Sequence, residues 1–335
     1  MAKIKVENNF VWIILAAIRI YSTNFLKFCG YMLFPVLGQI IGILLTFCLA
    51  GLFIVYLPDL QDKYELFRDY ATVLLCLIVI TIPGLLIFCK AFWDYLVAYG
   101  ALNSITDGFL STGKIYDFPA HNATVTTRFW KYLGLWFFYS LFGSIAIIPF
   151  FWVVAPIFFI YFILIFQVFS FEPETSVIGC FERSFKIIRD NWFRTLLIMC
   201  VIGLFTHFLF VQGFSVIFDF VRLTKFFSSL LEEYLIPSIP IDAINDIILL
   251  VKPSFNLITP SKIADFFVYQ IVQFIVIGFT LPLRSICWTL WYNNLADSQE
   301  VKTISDKKSK KHKSRAKKEL DPEILRRANL EDDEY

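Results

Sequence analysis

The side chains that could do chemistry are few in this 335-residue chain, and they do not gather. Of three histidines, His121 lies in a polar stretch, His207 inside an apolar run and His312 in a basic tail. Seven cysteines (Cys29, Cys48, Cys76, Cys89, Cys180, Cys200 and Cys287) lack the CxxC or Cys/His spacing of a metal site. Most fall within apolar runs, where a free cysteine acts as a small hydrophobe. The sequence has no HExxH, no GxSxG, no paired aspartates inside a span and no phosphate-binding glycine loop. No catalytic, cofactor-binding or metal-ligating set is therefore expected, and the chain reads as non-enzymatic. What remains is polar groups inside apolar runs: His207 and Arg284 first, then Gln39, with Gln167, Gln212, Gln270 and Gln273 behind them. An ionised side chain at the bilayer centre costs about 3 kcal/mol or more, so it marks a functional position by default. Quieter readings are preferred for both. Arg284 is close enough to one end of its run to snorkel, and His207 can hydrogen-bond to a neighbouring helix. A carrier would more often cluster several polar groups at the midplane.

Composition says what must position these groups. With 58% hydrophobic and 17% charged residues and a mean hydropathy of +0.66, the chain is too apolar for an ordinary soluble domain, and lipid is its expected solvent. Its 39 Phe, 15 Tyr and 8 Trp suit the edges of the hydrocarbon slab. A span needs about 20 apolar residues. Six stretches come near that: Phe28 to Tyr56, Ala71 to Cys89, two short spans sharing the run from Leu133 to Phe169, Thr195 to Phe218, and Phe266 to Trp291. Pro35, Pro83 and Pro282 kink rather than end packed membrane helices. Arg19 stands where a signal peptidase would need a small residue, so an uncleaved N-terminus is expected.

Three polar-aromatic-basic knots lead into apolar runs: Thr23-Asn24-Phe25-Leu26-Lys27, Thr127-Arg128-Phe129-Trp130-Lys131 and Asp190-Asn191-Trp192-Phe193-Arg194. Asn24, Phe25, Lys27, Arg128, Trp130, Lys131, Asn191, Trp192 and Arg194 read as interface anchors, together with Arg183 and Arg189. Before the third knot, Val177, Phe181, Phe185, Ile188 and Trp192 make one apolar face opposite Glu182, Arg183, Lys186 and Arg189. This helix, started by Pro173 between Glu172 and Glu174, is expected to lie in the headgroup layer or to pack on the bundle. Phe10 to Tyr21 is a more apolar counterpart, too short to span. The third counterpart, before Arg128, is expected to be interrupted, because it contains Asn103, Asp107, Gly108, Gly113 and Pro119.

Basic residues in the short connections fall mainly on the side of the knots and the tail. The other side carries Lys63 and Arg68 among four acids, and Arg222, Lys225, Lys252 and Lys262 among six. Both termini are therefore expected in the cytoplasm of a multi-pass protein of the cell (plasma or inner) membrane. Residues 1–296 read as the transmembrane domain and 297–335 as a disordered cytoplasmic tail, first basic, then acidic. Lys307, Lys308, Lys310, Lys311, Lys313, Arg315, Lys317 and Lys318 put eight charges into twelve residues. Near anionic lipid each contributes about 1 kcal/mol. The same attraction acts on RNA, but membrane lipids, and a protein partner, are the expected contacts, not nucleic acid. The segment from Asp219 to Asp265 suggests short amphipathic helices around Pro237 and Pro240 that cap, interface or rest on the outer leaflet.

At Ala16 to Lys27 and Ser176 to Thr195 the chain resembles a broad bacterial group of integral membrane proteins related to the membrane domain that accompanies some glycerophosphodiester phosphodiesterases. The shared features are an amphipathic helix with a serine and spaced basic residues (Arg183-Ser184-Phe185 and Arg189), then Asn191-Trp192-Phe193-Arg194, then a span. The likeness covers about Phe10 to Asn294 and implies a six-span layout. It carries over no catalytic residue, since that chemistry belongs to a separate soluble domain. The expected fold is thus an all-α polytopic transmembrane helical bundle, six spans as three hairpins, each preceded by an interfacial amphipathic helix. The expected function is to organise or sense the bilayer or to serve as membrane partner of another complex. The alternative is a transporter or exporter subunit for a lipid-like or small hydrophobic substrate.

Overall fold

A computed structural model of the chain describes residues 10–115, 117–145, 154–234 and 258–296, with isolated positions 148, 236, 241, 245, 246, 249 and 298. The expectations for the connection between the two short spans, most of the segment around Pro237 and Pro240, and the basic and acidic tail lie outside the described residues. Among the described residues the chain is helical almost throughout and contains no strand.

Helix α1 (Phe10–Thr23) buries Ile13, Ala17, Ile20 and Tyr21 and exposes Val11, Leu15 and Ile18, the half-buried helix expected there. α2 (Phe25–Lys63) and α3 (Tyr70–Thr112) run 39 and 43 residues, about 58 and 65 Å of helix and roughly twice the hydrocarbon thickness. They overshoot the expected spans of Phe28 to Tyr56 and Ala71 to Cys89. At their crossing a Cβ on Gly42 would lie 2.5 Å from the Phe88 backbone nitrogen, and one on Gly84 would lie 2.6 Å from that of Thr46. Only glycine lets the two backbones approach so closely. The expected interruption before the second knot falls later than Asn103. α3 runs through Asn103, Asp107 and Gly108, because Asn103 is buried with its amide fully bonded to side chains and backbone. The helix stops at Gly113, whose φ of 72° and N–H bond to the Phe109 carbonyl close it. α4 (Phe118–Thr126) follows, with Pro119 in its first turn.

The run from Leu133 to Phe169 becomes α5 (Phe129–Ile145), α6 (Val154–Phe162) and α7 (Ile165–Phe171), all short of a full crossing. Among the described residues four helical segments are long and apolar enough to cross a membrane: α2, α3, Trp192–Phe220 and Pro260–Ala296. The third comprises α9 (Trp192–Gly203), a π-helical turn (Leu204–Leu209) and α10 (Phe210–Phe220). The fourth comprises α12 (Pro260–Phe279) and a last helix over 281–296. It starts six residues before the expected Phe266, where Thr259 caps Pro260 at N1. Between them α11 (Leu223–Tyr234) packs on α12, with Ser228 donating to Asp265 at 2.7 Å.

Helix α8 (Val177–Arg189) starts at Ser176, whose hydroxyl accepts from the Gly179 N–H at 3.1 Å. Pro173 does not begin it, and Glu172 instead accepts from Arg183 and from the Tyr292 hydroxyl, both at 2.9 Å. Cys180, Ser184, Ile187 and Ile188 are buried, and Ser184 donates to the Tyr161 carbonyl at 2.8 Å. The buried face is thus turned slightly from the expected one, and the helix packs on α6 and α7.

Each knot is a turn between two helices, with the same bonds every time. The knot residue's N–H reaches the carbonyl three residues back: Asn24 to Tyr21 at 3.2 Å, Arg128 to Val125 at 3.1 Å, Asn191 to Ile188 at 2.8 Å. Its carbonyl accepts the first N–H of the next helix: from Phe28 at 3.1 Å, Tyr132 at 3.0 Å and Thr195 at 3.0 Å. All six partners are buried. A helix entering such a turn and one leaving it therefore bury the same register three times over.

Candidate functional site

The residue the sequence treated as a helix breaker is the centre of the polar interior. Asn103 is 1% exposed. Its Nδ2 donates to the Phe166 carbonyl and to Ser170 Oγ, both at 3.2 Å. Its Oδ1 accepts from Ser285 at 2.8 Å, Gln167 Nε2 at 3.3 Å and Thr289 at 3.4 Å. Three returning segments, α3, α7 and the last helix, each supply one part of this hub. Amides and hydroxyls buried away from water must be paired, and here each pairs with a different segment, which fixes all three against one another.

Beside the hub lies a cavity of about 210 Å³, lined on its polar side by Asn103, Gln167, His207, Arg284 and Ser285 and by the rings of Tyr99 and Tyr139. Irregular backbone borders it twice. The π turn holds His207, and such turns concentrate at functional positions. On the other side the helix breaks at Thr280, because Pro282 has no N–H for the preceding turn. Two carbonyls at the break are met by side chains, Phe279 by the Tyr21 hydroxyl at 2.8 Å and Ile277 by Arg284 Nη2 at 2.7 Å, while Thr280 Oγ1 joins its own N–H on the Val276 carbonyl at 2.8 Å.

Arg284 therefore does not snorkel; it turns inward to the C-terminal carbonyls of α12, where the helix dipole favours a cation. Its buried Nε has no hydrogen-bond partner, and neither has Gln167 Oε1. Among the described residues no carboxylate is within ion-pair distance of Arg284. His207 bonds within its own helix, Nδ1 to Thr206 Oγ1 at 2.9 Å, and lines the cavity. The structure thus brings two of the three polar candidates together. Gln39 stands apart, spending its amide on the Pro35 carbonyl of its own helix at 2.6 Å.

The anchors divide. Phe25, Lys27, Trp130, Arg189 and Arg194 are exposed, while Asn24 Nδ2 donates to the Ile20 carbonyl at 3.1 Å. Arg128 and Lys131 turn inward. Arg128 Nη1 donates to the Phe169 carbonyl at 2.6 Å and sits 4.2 Å from that ring's centre, and Lys131 donates to the Pro173 carbonyl at 2.9 Å. Both hold the C-terminal end of α7, as cations do. Asn191 and Trp192 are half-buried in the third turn, and Arg183 pairs with Glu172. The cysteines are free, and only Cys180 and Cys287 are fully buried, so most act as part of the outer apolar surface.

Sequence reasoning missed Asn103, Ser285, Tyr99 and Tyr139. The available signal was an asparagine directly after Ala98-Tyr99-Gly100-Ala101-Leu102, where Gly100 and two alanines allow tight helix packing. A second pairing also emerges: Ser104 Oγ lies 2.9 Å from His121 Nδ1. The chain matches no protein-family model, no curated protein and no solved structure.

Proposed function

We propose that the chain is a multi-pass cell-membrane protein, its six apolar stretches forming three hairpins with both termini cytoplasmic, and that it serves as a transporter or exporter subunit. The substrate carries a polar, anionic head that enters the cavity between the hairpins. One observation carries this reading: Arg284, a cation without a carboxylate partner among the described residues, lines a partly polar cavity set between a π turn and a broken helix. Transporters place discontinuous helices around their sites in this way, and irregular backbone at membrane depth is tolerated where it lines a cavity. The bilayer-organising reading rests on the three surface helices and the basic tail; of these, α8 packs part of its apolar face on α6 and α7 and leaves Ile178 and Phe185 exposed. The relation to phosphodiesterase-associated membrane domains stays part of the proposal, resting on the residues that suggest it.

Cysteine accessibility tests the passage. With His207→Cys or Ser285→Cys in a cysteine-free background, a small water-soluble thiol reagent should label the cavity from one face of the membrane. Silence from both faces, in protein that folds normally, would remove the passage.

A further inference from the structure

We propose that an apolar groove along one flank of the bundle holds an acyl chain of an acidic membrane phospholipid, with Arg19 and Lys27 meeting its phosphate. The proposal uses neither the polar cavity nor a passage through it.

The groove follows two stretches of helix that run side by side. One wall is α1 and the start of α2, through Ile18, Phe25 and Leu33, and the other is the π turn and α10, through Phe205, Phe210 and Phe218. Val276 of α12 and Leu283 of the last helix belong to its floor. Two adjoining hollows of about 480 and 560 Å³ make it up, and Tyr21, Phe25 and Phe210 line both. Ile202 and Phe218 mark its ends on the second wall, about 24 Å of helix apart. One leaflet contributes roughly 15 Å to the hydrocarbon core, so a whole acyl chain fits lengthwise.

The lining asks for hydrocarbon. Four hydroxyls border the groove, and each already donates to a carbonyl: Tyr21 to Phe279 at 2.8 Å, Ser22 to Arg19 at 3.1 Å, Thr206 to Ile202 at 2.8 Å and Thr280 to Val276 at 2.8 Å. A polar group entering here finds every hydroxyl proton engaged and loses its own solvation. A chain of methylenes leaves nothing unpaired. Ile18, Phe25, Leu33 and Phe214 remain exposed along the rim, so the groove opens sideways to the bilayer, whose acyl chains belong to phospholipids. The head follows from charge. Arg19 succeeds Ile18 and Lys27 succeeds Leu26, both lining residues, and the two cations stand on either side of the first turn. Both are exposed, and neither forms an ion pair among the described residues. Two such cations beside one apolar groove favour an acidic head over a zwitterionic one.

Gly30 supplies the means of testing this. It lines the groove, and a Cβ at its position would have no neighbour within 4 Å, so a large side chain there fills the groove without displacing the bundle.

The full chain is placed in nanodiscs of phosphatidylcholine with a small share of phosphatidylglycerol carrying a photoreactive acyl chain, and cross-links are located by mass spectrometry. They should concentrate on residues 205–218 and 25–33, at least about threefold above those from phosphatidylcholine with the same chain. The outward face of α3 at Leu75 and Val79 is the reference, where the two lipids should react alike. Gly30→Phe, with thermal stability retained, should bring the groove down to the level of that face. Arg19→Gln together with Lys27→Gln should equalise the two lipids. Cross-linking of the native chain that is no higher in the groove than on α3 overturns the proposal without any variant, and so does equal yield from the two headgroups. A photoreactive free fatty acid that displaces phosphatidylglycerol at equal concentration overturns the phospholipid as occupant. Disulfide linkage of Cys29 between two copies, with no lipid product, makes the groove a contact between copies and overturns it as well. None of these results bears on labelling at His207→Cys, so the passage stands or falls on its own test.

Discussion

The outer part of the α2–α3 hairpin and the base around Asn103 hold helices together by opposite means. In the hairpin, Ile41, Phe47, Leu52, Val55, Leu75, Val79 and Leu86 face outward, and the contact between helices runs through Gly42, Thr46, Gly84 and the Phe88 backbone. In the base, the contact runs through amides and hydroxyls that complete one another's hydrogen bonds. Lipid tails are as apolar as leucine, so neither region can rely on the hydrophobic effect between helices. Close backbone approach gains dispersion and leaves no polar group behind, but it makes no cavity. A polar hub fixes geometry by unique pairing and leaves room for donors and acceptors that the protein itself does not use. The candidate site lies next to the second kind of contact, and the first kind serves as a strut.

The glycine crossing should be the most sensitive point of the fold. Gly42→Leu puts a side chain where 2.5 to 2.8 Å separates a Cβ from the Phe88 backbone, so the helices must part. The expected loss is about 3 kcal/mol, near the upper end for overpacking because backbone cannot move aside as a side chain can. Equilibrium unfolding in mild detergent, followed by tryptophan fluorescence, measures it, and a loss below about 1 kcal/mol would mean that the strut is not closely packed. Asn103→Leu should follow at about 1–2 kcal/mol, since Ser285, Thr289 and Gln167 lose their shared acceptor. The comparison sharpens if the two differ in kind. Gly42→Leu should leave thiol labelling of His207→Cys per folded molecule intact, whereas Asn103→Leu, by releasing Gln167 beside the cavity, should change it.

Those two positions also mark how far the sequence could be read. The knots were legible as breaks, because polar and basic residues interrupt the apolar pattern there, and all three are turns between two helices with the same hydrogen bonds. The amphipathic period of α8 was legible for a similar reason, to within a small rotation of its buried face. Asn103 misled because an asparagine carries two messages, turn-former and buried hub, and only its partners, 63 to 186 residues away in sequence, choose between them. Gly42 and Gly84 were silent because a glycine in an apolar run signals close approach only when the opposing backbone is known. The π turn at Leu204–Leu209 has no composition of its own. His207 and Arg284 were picked out by chemistry, yet their meeting depended on a helix break that Pro282 announced and that was read only as a kink.

A smaller effect belongs to the base alone. Glu172 joins Arg183 on α8 to Tyr292 on the last helix. Tyr292→Phe removes one hydrogen bond to a carboxylate that keeps its other partner, so stability should fall by about 1 kcal/mol. No change on denaturant unfolding would show the contact to be incidental.

The smallest expected effect is pH-dependent and separates the two regions cleanly. His121 on α4 meets Ser104 on α3, and burial holds its pKa below the ordinary 6.5, with Asp117 opposing that shift in part. A histidine whose pKa is depressed in the folded state favours folding while neutral. Its contribution is complete above about 6.5 and is lost as pH falls through the lower folded value. Protection of the α4 amides from hydrogen exchange, corrected for intrinsic rates, should therefore decline between about pH 6.5 and 5, while that of the amides around Gly42 and Gly84 should not, since no histidine lies at that crossing. His121→Gln, which keeps a polar partner for Ser104 but cannot titrate, should flatten the decline. An equal decline at both places would mean that acid loosens the whole bundle and that the contact between α3 and α4 has no switch of its own.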